Sequence, residues 1–436
     1  VYQTLNMGGA VSALSPEKKV ELKANFEAYC KKAAQEIADA DIFLLSTGAG
    51  FSADSGLAVY KDIADIDVYH ERDLSYHDIC IPDWVKHEPN LFYGFWGMCF
   101  NDYRECKPHE GYYIIKRWKE ELFSSNKKWD EVAKVYKSDL AEEMKALSIS
   151  EKDGSERSHF LSAVKPEEGS KEAGPFFVYT SNVDAHSIYP GLFGVHEVVE
   201  IHGNTETWQC ASHSQCDLKL WKAPADFKFN VDKTTMYARK QEIESEHKGW
   251  QNNQPTCPDC GGPARPAILM FGDMDYIADK YGSRAYHIWE KRATACVNKL
   301  GAKAVILEVG CGNNVPSVRW HDTGLAKNYW GVDKSTLIRV NPDFPLSDSD
   351  ECPVIPIMAK GLDTIKEIDK HLRAILEARK KAKGATEEVK VVETEEQTKE
   401  SDEVKPKVDT TEVKEDEEEV SKETKEEVAK EDEKKN

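Results

Sequence analysis

The sequence lacks the features of a membrane or secreted protein. No apolar run approaches the length of a membrane span, and no signal peptide opens the chain. We therefore expect an intracellular protein, cytoplasmic or nuclear. An excess of positive charge is also lacking, because 58 Lys and Arg residues stand against 78 Asp and Glu residues, for a net charge of -20. This balance argues against nucleic acid as the main partner, and no direct nucleic-acid binding is expected.

Aromatic residues are missing from the end of the chain, residues 384–436. Glu, Lys, Thr, Val and Asp make up almost all of this segment, with about 21 acidic residues against about 10 basic ones. Such a composition cannot bury a core, so we predict a disordered tail. A flexible N-terminus is predicted over residues 1–14.

The rest of the 436-residue chain has enough apolar surface for a sizeable core, with 10 Trp, 17 Tyr and 15 Phe in the whole sequence. A helix is predicted from Ser15 to about Ala38, because a hydroxyl, a proline and an acid begin it. Four apolar runs are typical of buried parallel strands: "DIFLLST" (41–47), "FFVYTSN" (176–182), "AVILEVG" (304–310) and "LIRVN" (337–341). Helical stretches between them favour an α/β domain with a doubly wound sheet. Residues 124–173 are polar and predict a surface insertion.

Four of the 11 cysteines form two pairs, Cys210 with Cys216 and Cys257 with Cys260. The chain is long and has no secretion signal, so its cysteines do not indicate a disulfide framework. Four thiolates suit a closed tetrahedral zinc site, which would be structural because it has no open position. The first pair is wider than the usual gap of roughly two to four residues. His213 could therefore replace Cys216 as a ligand.

A glycine-containing loop follows the first predicted strand. A dehydrogenase fingerprint places its third glycine three residues after the second, whereas here Gly56 comes six residues after Gly50. An ordinary dehydrogenase is therefore not favoured. The backbone N–H groups of such a turn, followed by a helix N-terminus, still suit a pyrophosphate.

Six ordered motifs together resemble the sirtuin family, the NAD-dependent protein-lysine deacylases. They are "GAGFSADSG" (48–56), "TSNVDAH" (180–186), "EIHGN" (200–204), "CPDCGGPARPAILMFGD" (257–273), "EVGCGNNVPSVR" (308–319) and "RVN" (339–341). The resemblance covers about residues 36–376 apart from the insertion. It implies a catalytic domain over residues 15–383, in which a Rossmann-like parallel sheet carries a smaller module. That module has a helical part (63–175) and a zinc-binding part (208–262).

The resemblance also implies an activity. NAD is expected in the cleft between the modules, and an acylated-lysine protein is the expected substrate. The acyl oxygen attacks the nicotinamide ribose, nicotinamide leaves, and free lysine and O-acyl-ADP-ribose are the products. His202 is the implied general base on the ribose hydroxyl, since a neutral imidazole can take that proton near pH 7.

The other implied roles follow the motifs. Asn182 is expected at the ribose side as a second catalytic residue, and Val183 and Asp184 are expected to hold the nicotinamide amide. The other implied cofactor-binding residues are Gly48, Ala49, Gly50, Ser52, Tyr60, Lys61, Ser181, Gly310, Cys311, Gly312 and Asn341. Leu269, Phe271 and Gly272 are expected to pair with the substrate backbone and to line the lysine tunnel.

The chain departs from the family at Ala58-Val59-Tyr60-Lys61, where members usually have Pro-Asp-Phe-Arg. Tyr60 keeps an aromatic ring, whereas Lys61 keeps a cation without the bidentate fork of arginine. Val59 loses an acid. Two other functions stay open: a protein ADP-ribosyltransferase on the same fold, against which the base His202 argues, and a catalytically silent NAD-binding module.

Acyl preference is predicted from one helix. Sirtuins that remove acidic acyl groups carry Tyr-x-x-Arg there, and this chain has Tyr93 but Trp96. Without a cation, a buried carboxylate would be unpaired, so we predict that acetyl or longer apolar acyl groups are preferred over succinyl by at least ~10-fold. The alternative is that Trp96 packs in the core and Lys61 or Arg104 supplies the cation.

A lipid anchor is a conditional prediction. The stretch "MGGAVS" (7–12) fits the myristoylation pattern if translation begins at Met7, with Gly8 as the modified residue. A single acyl chain would give weak, reversible membrane contact.

Overall fold

The computed structural model describes residues 14–59, 65–136, 171–212, 216 and 220–402, with side chains described up to residue 382. The predictions for Gly8, Tyr60, Lys61 and His213 fall outside these ranges. The chain divides into two compact units, residues 1–377 and 378–436, and the features below belong to the first, apart from the end of the last helix. Within the described residues, no helix combines the length and the apolar character that crossing a membrane requires.

The N-terminal helix forms where the sequence predicts it, but in two pieces. Helix α1 (Pro16–Ala24) begins at Ser15, whose hydroxyl accepts a hydrogen bond from the Lys18 N–H at 3.2 Å. Helix α2 (Phe26–Asp39) follows after Asn25. The Asn25 side chain donates to the Glu21 carbonyl at 2.9 Å. Asparagine competes with the backbone for its hydrogen bonds in this way, which accounts for the break.

A six-stranded parallel sheet forms the centre of the domain. Its strands are β1 (Ile42–Thr47), β2 (Phe176–Thr180), β3 (Val198–Glu200), β7 (Ala304–Val309), β8 (Ser335–Val340) and β9 (Val354–Ile357). Their order is β3-β2-β1-β7-β8-β9, and every neighbouring pair is parallel. The four predicted runs are β1, β2, β7 and β8, so the predicted α/β fold with a Rossmann-like sheet is confirmed.

Both faces of this sheet are covered, as a parallel sheet requires. Phe43 and Leu45 point into one apolar cluster, whereas Ile42 and Leu44 point into another on the opposite side. All four side chains are fully buried.

A smaller antiparallel sheet carries the cysteine pairs. Its strands are β4 (Gly203–Cys210), β5 (Leu220–Lys222) and β6 (Ala264–Ile268), in the order β5-β4-β6. The pairing of β4 with β6 shifts register between Gly203 and Trp208. A third apolar cluster joins this sheet to the helices that precede it in the chain.

The helices surround the two sheets. After β1 come α3 (Ala49–Ala53), α4 (Asp67–His70), α5 (Tyr76–Ile79), α6 (Trp84–His87), α7 (Pro89–Glu105), α8 (Glu110–Leu122) and α9 (Lys127–Val135). Later in the chain come α10 (Lys280–Leu300), α11 (Ser317–Gly324), a π-helical turn (Leu325–Trp330) and α12 (Gly361–Asp402). Single 3₁₀ turns occur at His186–Ile188 and Val195–Glu197.

Two predicted segments differ from the structure at their ends. The ends of the predicted insertion are packed, since Trp129, Val132 and Ala173 are buried against α10 and its neighbours. The helix α12 continues to Asp402, past residue 384 where disorder was predicted to begin. Glu and Lys are good helix formers, and their high content favours a helix here. Residues 403–436 lie outside the described ranges.

Candidate active site

Residues that the sequence assigns to the site follow five different strands of the parallel sheet. Gly48 comes directly after β1, Ser181 after β2, Gly310 after β7 and Asn341 after β8, and His202 lies two residues beyond β3. Because the strands are parallel, their carboxyl ends share one edge of the sheet. The chain leaves β1 toward β2 on one side, whereas β7 lies on its other side. Ligands bind at this kind of switch point in open α/β sheets.

The glycines after β1 and β7 fit together at the centre of this edge. The N–H of Gly48 donates to the Val309 carbonyl at 3.0 Å, and the N–H of Gly50 donates to the Gly310 carbonyl at 3.0 Å. A Cβ on Gly48 would lie 2.8 Å from the Gly310 carbonyl oxygen, and a Cβ on Gly50 would lie 2.8 Å from the Gly310 Cα. These glycines therefore serve the close approach of two loops, and their N–H groups are used within the protein. Ala49 lies between them, at the start of α3.

Beyond these glycines, the loop after β7 becomes open. Gly310 has a φ of +69°, which side chains rarely adopt, whereas a Cβ on Gly312 would meet no described atom within 4 Å. Cys311 between them is buried, and burial raises the pKa of its thiol. Gly312 is thus the glycine of this loop that leaves room for a ligand.

A buried polar cluster lies beside the glycine loop. The Ser52 hydroxyl donates to a carboxylate oxygen of Asp184 and accepts from the Asn182 amide at 2.9 Å. The other Asp184 oxygen accepts from the His186 N–H at 2.8 Å. The Asn182 Oδ1 is buried and has no hydrogen-bond partner among the described residues. The cluster thus presents one unused acceptor at the edge where the strands end.

The residues around this cluster are held through their backbones. The Ser181 N–H donates to the Thr47 carbonyl at 3.1 Å, which joins the ends of β1 and β2. The Val183 carbonyl accepts from the Thr205 N–H at 3.0 Å, which ties the same loop to the smaller sheet. Ser181 and Val183 therefore fix the loop that carries Asn182 and Asp184.

His202 lies in the turn between β3 and β4 and is partly buried. Burial lowers the pKa of its imidazole to about 4, and contact with the Ser181 backbone only partly opposes this. The ring is therefore neutral at pH 7, which is the state that a general base needs. The His202 carbonyl also accepts from the Leu269 N–H at 2.9 Å, so the base is joined to the segment assigned to the substrate.

The substrate segment begins where β6 ends and borders a large cavity. The cavity has a volume of about 880 Å³ and is lined by Asp65, Asp73, Asp78, His70, His77, Leu74, Ser75, Tyr76, Phe271, Asn314 and Val315. Leu269 is 41% exposed, and Gly272 has a φ of +67° that ends the extended run. The Phe271 ring stacks on His77 with centroids 4.2 Å apart. Leu269, Phe271 and Gly272 thus lie together at an accessible edge, and Phe271 is the one of the three among the described residues that line the cavity.

A buried ion pair, which the sequence analysis did not identify, holds the two ends of this segment together. Arg265 and Asp273 are 2.8 Å apart, and both side chains are almost fully buried. The guanidinium also donates to the Ile268 carbonyl at 3.3 Å, and the carboxylate accepts from the Met270 N–H at 3.4 Å. The turn that presents Phe271 is therefore closed by a charged pair at its two ends.

Tyr93 and Trp96 do not join the other predicted substrate residues. Tyr93 is buried, and its hydroxyl donates to the Ala264 carbonyl at 2.6 Å. Ala264 lies shortly after the second cysteine pair in the sequence. Trp96 is buried in the apolar cluster between α7 and the smaller sheet. Neither is among the described residues that line the cavity. The structure therefore matches the alternative in which Trp96 packs in the core.

Arg104 does not supply a cation to the cavity either. Its guanidinium forms a two-point ion pair with Glu206, with both N–O distances 2.7 Å. It also donates to the Pro224 and Phe227 carbonyls and lies 4.0 Å above the Phe100 ring. The side chain joins α7 to the smaller sheet, and the N–H groups of its guanidinium are used in these contacts.

The wall beyond Gly312 is built by charged groups that sequence reasoning also missed. Glu308 at the end of β7 pairs with Arg339 at 2.7 Å, and both are buried. Arg319 pairs with Asp348 at 2.6 Å and donates to the Cys311 carbonyl at 3.3 Å. Glu308, two positions before Gly310, is the member of this network that lies next to a glycine motif in the sequence, whereas Arg319 and Asp348 lie farther along the chain.

The Asn341 side chain forms hydrogen bonds in the same wall of the site. Its amide donates to the Cys311 carbonyl at 2.8 Å, and its Oδ1 accepts from the N–H groups of Asp343 and Phe344 at 2.9 and 3.0 Å. The side chain therefore links the loops after β7 and β8. Both polar atoms of its side chain are therefore used within the protein.

The four cysteines lie together and fit a zinc ion. The Sγ atoms of Cys210 and Cys260 are 3.6 Å apart, those of Cys216 and Cys257 are 3.5 Å apart, and all four lie within 4.8 Å of one another. A tetrahedron with Zn–S bonds of about 2.3 Å has edges of about 3.8 Å. The N–H groups of Ser212 and Gly262 point at sulfur atoms, at 3.3 and 3.4 Å. The geometry accommodates Cys216 as the fourth ligand.

The sheet edge also fits a dinucleotide by two tests. The unused Asn182 Oδ1 is a buried acceptor that needs a donor, and such groups are costly to leave unpaired. The space over Gly312 lets a ligand approach the backbone closely. The donor and acceptor groups of an amide and of phosphates would meet these needs.

Comparison with known proteins finds one family model that matches part of the chain. The Sir2 family model matches residues 126–291. No curated protein sequence matches the chain. A crystal structure of a Sir2 homolog–NAD complex is 14% identical over 79% of this chain and 94% of the other, with a TM-score of 0.46. A Sir2–p53 peptide–NAD+ structure is 15% identical over 78% and 96%, with a TM-score of 0.42.

Proposed function

From the match of the Sir2 family model over residues 126–291, we propose that the chain is a Sir2-family protein and acts as an NAD-dependent protein-lysine deacylase. Nicotinamide, free lysine and O-acyl-ADP-ribose are the proposed products. The observation that carries the proposal is His202, whose imidazole is neutral at pH 7 and lies in the turn that the substrate segment joins.

The protein's own groups have separable tasks in this reaction. Bound NAD would supply the ribose carbon at which the bond to nicotinamide breaks. Asn182 and Asp184, held by Ser52, orient the amide and ribose end of the dinucleotide through fixed hydrogen bonds. The neutral His202 ring takes the proton of a ribose hydroxyl as that oxygen becomes a nucleophile. Gly312 lets the phosphates approach the loop after β7.

The substrate proposed is an extended peptide that carries an acylated lysine. Leu269 and Gly272 bound a short exposed segment beside the cavity, and such a segment can pair with another backbone. The preference for acetyl or apolar acyl groups over succinyl, by at least ~10-fold, is retained as a proposal. The support for this preference is the charge around the cavity. Asp73 and Asp78 on its wall would repel a succinyl carboxylate, and Arg104 pairs with Glu206 instead of facing the cavity. Trp96 does not contribute.

Product analysis tests the proposal. Purified protein is incubated with NAD and an acetylated-lysine peptide, and nicotinamide and O-acetyl-ADP-ribose are measured by mass spectrometry. Both products should form in equal amounts and only with the acylated peptide. The His202→Ala variant serves as the control, because its phosphate-binding loops are intact.

Other outcomes identify the alternative functions. ADP-ribose attached to protein without O-acetyl-ADP-ribose would identify a transferase. Bound NAD without release of nicotinamide would identify a silent module. Either result contradicts the proposed deacylase.

A further inference from the structure

Among the described residues, a second group of side chains that can bind a metal is separate from the four cysteines. Glu27 lies in the first turn of α2, and Glu367 and His371 lie one turn apart on α12. One ligand atom from each of them, the His371 Nε2 and a carboxylate oxygen of each glutamate, lies within 4.8 Å of the other two. These residues come from near the beginning and near the end of the first compact unit, so the fold brings them together.

The two helices that carry this group share one core. Cys30 of α2 and Leu372 of α12 are fully buried in the same apolar cluster. Above this core, the side chains of Glu367 and His371 are 22% and 16% exposed, whereas that of Glu27 is 73% exposed. The group therefore has two ligands that packing holds in place and a third that can adjust from the solvent side.

The imidazole nitrogen of His371 is the observation that points to a metal. The Nε2 atom is buried and has no hydrogen-bond partner among the described residues. It lies 3.1 Å from a carboxylate oxygen of Glu367 and 3.9 Å from one of Glu27. The shorter separation is within hydrogen-bond range, so direction rather than distance prevents a hydrogen bond. A buried nitrogen in this state is costly, and the two carboxylates do not relieve that cost by hydrogen bonding.

The separations suit ligands placed around one ion. With bonds of about 2.1 Å from zinc to nitrogen or oxygen, neighbouring ligand atoms are about 3.0 Å apart in an octahedral site and about 3.4 Å apart in a tetrahedral one. The observed 3.1 and 3.9 Å lie on either side of the tetrahedral value, and the longer one involves the exposed Glu27. Imidazole suits zinc and other transition metals, whereas magnesium and calcium prefer oxygen ligands alone.

We propose that Glu27, Glu367 and His371 bind a divalent transition metal ion such as zinc, which ties the start of α2 to α12. Water completes the coordination, because the Glu27 side of the group is open to solvent. The site differs from the cysteine cluster in its nitrogen and oxygen ligands and in its exposure. It does not depend on the proposed deacylase activity, since none of its residues belongs to the sheet edge.

One lysine competes with the ion for Glu367. The Lys370 Nζ lies 2.7 Å from the same Glu367 oxygen that is 3.1 Å from the His371 Nε2. The hydrogen bond from Lys370 holds the pKa of Glu367 below its ordinary value, so this ligand is already a carboxylate. An exposed ion pair of this kind is weak, and a divalent ion should displace it. Removal of the lysine should therefore strengthen metal binding.

Calorimetric titration with zinc chloride tests the proposal. The purified protein is dialysed against a weak chelator, and its metal content is measured before the titration. We expect one further equivalent of zinc to bind and the thermal midpoint to rise with it, whereas magnesium chloride should do neither. Glu27→Gln and His371→Gln should each raise the Kd of this equivalent at least ~10-fold. His287→Gln, at an exposed position of α10, is the matched control and should leave the Kd unchanged.

Lys370→Ala separates a metal site from a network of ion pairs. It should lower the Kd for zinc about twofold to fivefold. Lys366→Ala, which removes a lysine of α12 that pairs with Glu110, should leave the Kd unchanged.

Three results would overturn the proposal. They are a parent that binds no further equivalent, a Kd that is the same in Glu27→Gln as in the parent, and a Kd that Lys370→Ala does not lower. Because the Glu27 side chain is exposed, its variant keeps the test decisive even if His371→Gln does not fold.

Discussion

Replacing Gly310 by alanine should separate the two loops that form the centre of the site. The new Cβ would lie 2.2 Å from the Phe51 backbone nitrogen and 2.5 Å from the Gly50 carbonyl carbon. These neighbours are backbone atoms, so no side chain can swing away to relieve the contact. The φ of +69° adds strain of its own.

The expected loss of stability has two contributions, the left-handed backbone and the close contact. The left-handed backbone costs a residue with a Cβ about 1–2 kcal/mol, and overpacking typically costs about 1–3 kcal/mol. Gly310→Ala should therefore lower the free energy of unfolding by about 2–5 kcal/mol. Urea denaturation followed by fluorescence measures this change.

Gly312→Ala is the matched control two residues away. Its Cβ would meet no described atom within 4 Å, and its backbone is not left-handed. Its stability should therefore stay within about 0.5 kcal/mol of the parent, while its Kd for NAD should rise, because the added methyl group occupies the space above the loop. The reasoning is refuted if Gly310→Ala is as stable as the parent, or if Gly312→Ala is equally destabilised.

Three further predictions concern the base, the metal and a buried acid. His202→Ala should lose on the order of 10²–10⁴ in turnover, and unchanged deacylation would exclude this base. In the parent, the acidic limb of the pH–rate profile that His202 produces should centre near pH 4 rather than at the ordinary histidine value. Purified protein should contain one equivalent of zinc by metal analysis, and Cys257→Ser should lose it together with solubility and activity; a folded protein with well under one equivalent would contradict the site. Burial raises the pKa of Glu200 to about 8, so the stability that its protonated form contributes is lost as pH rises from about 4.5 to 8. Glu200→Gln should therefore gain stability relative to the parent across that window, up to about 5 kcal/mol, with no gain near pH 4; equal denaturation curves of the parent at pH 5 and pH 8 would contradict it.

Strands that are buried on both faces were predictable from the sequence. Runs such as "DIFLLST" and "AVILEVG" are continuous and apolar, and each ends in a polar or glycine residue at the site. Gly203 follows His202 in the sequence, and its φ of +73° forms the turn that carries this histidine. Local sequence therefore located the strand ends on which the site depends.

Side-chain direction on an apolar helix was not predictable. Helix α7 is buried on most of its surface, so its sequence carries no polar face from which to orient it. Tyr93 and Trp96 were therefore assigned to the acyl pocket, whereas both pack elsewhere in the core. The partners of Arg104 lie more than a hundred residues away in the chain, and local pattern contains no information about them.

The register shift between Gly203 and Trp208 divides the smaller sheet into two ends. The groups at these two ends must be positioned with different precision. At one end, Cys210 must meet the other thiols to within a fraction of an ångström for a metal to bind. At the other end, the proposed reaction needs His202 to lie beside a ribose. Between these paired positions β4 has five steps and β6 has two, and the extra residues of β4 bend the ladder locally and let each end settle into its own alignment. Small changes in metal geometry are therefore absorbed along the strand, so that an exchange of zinc for another tetrahedral metal should leave the base in place.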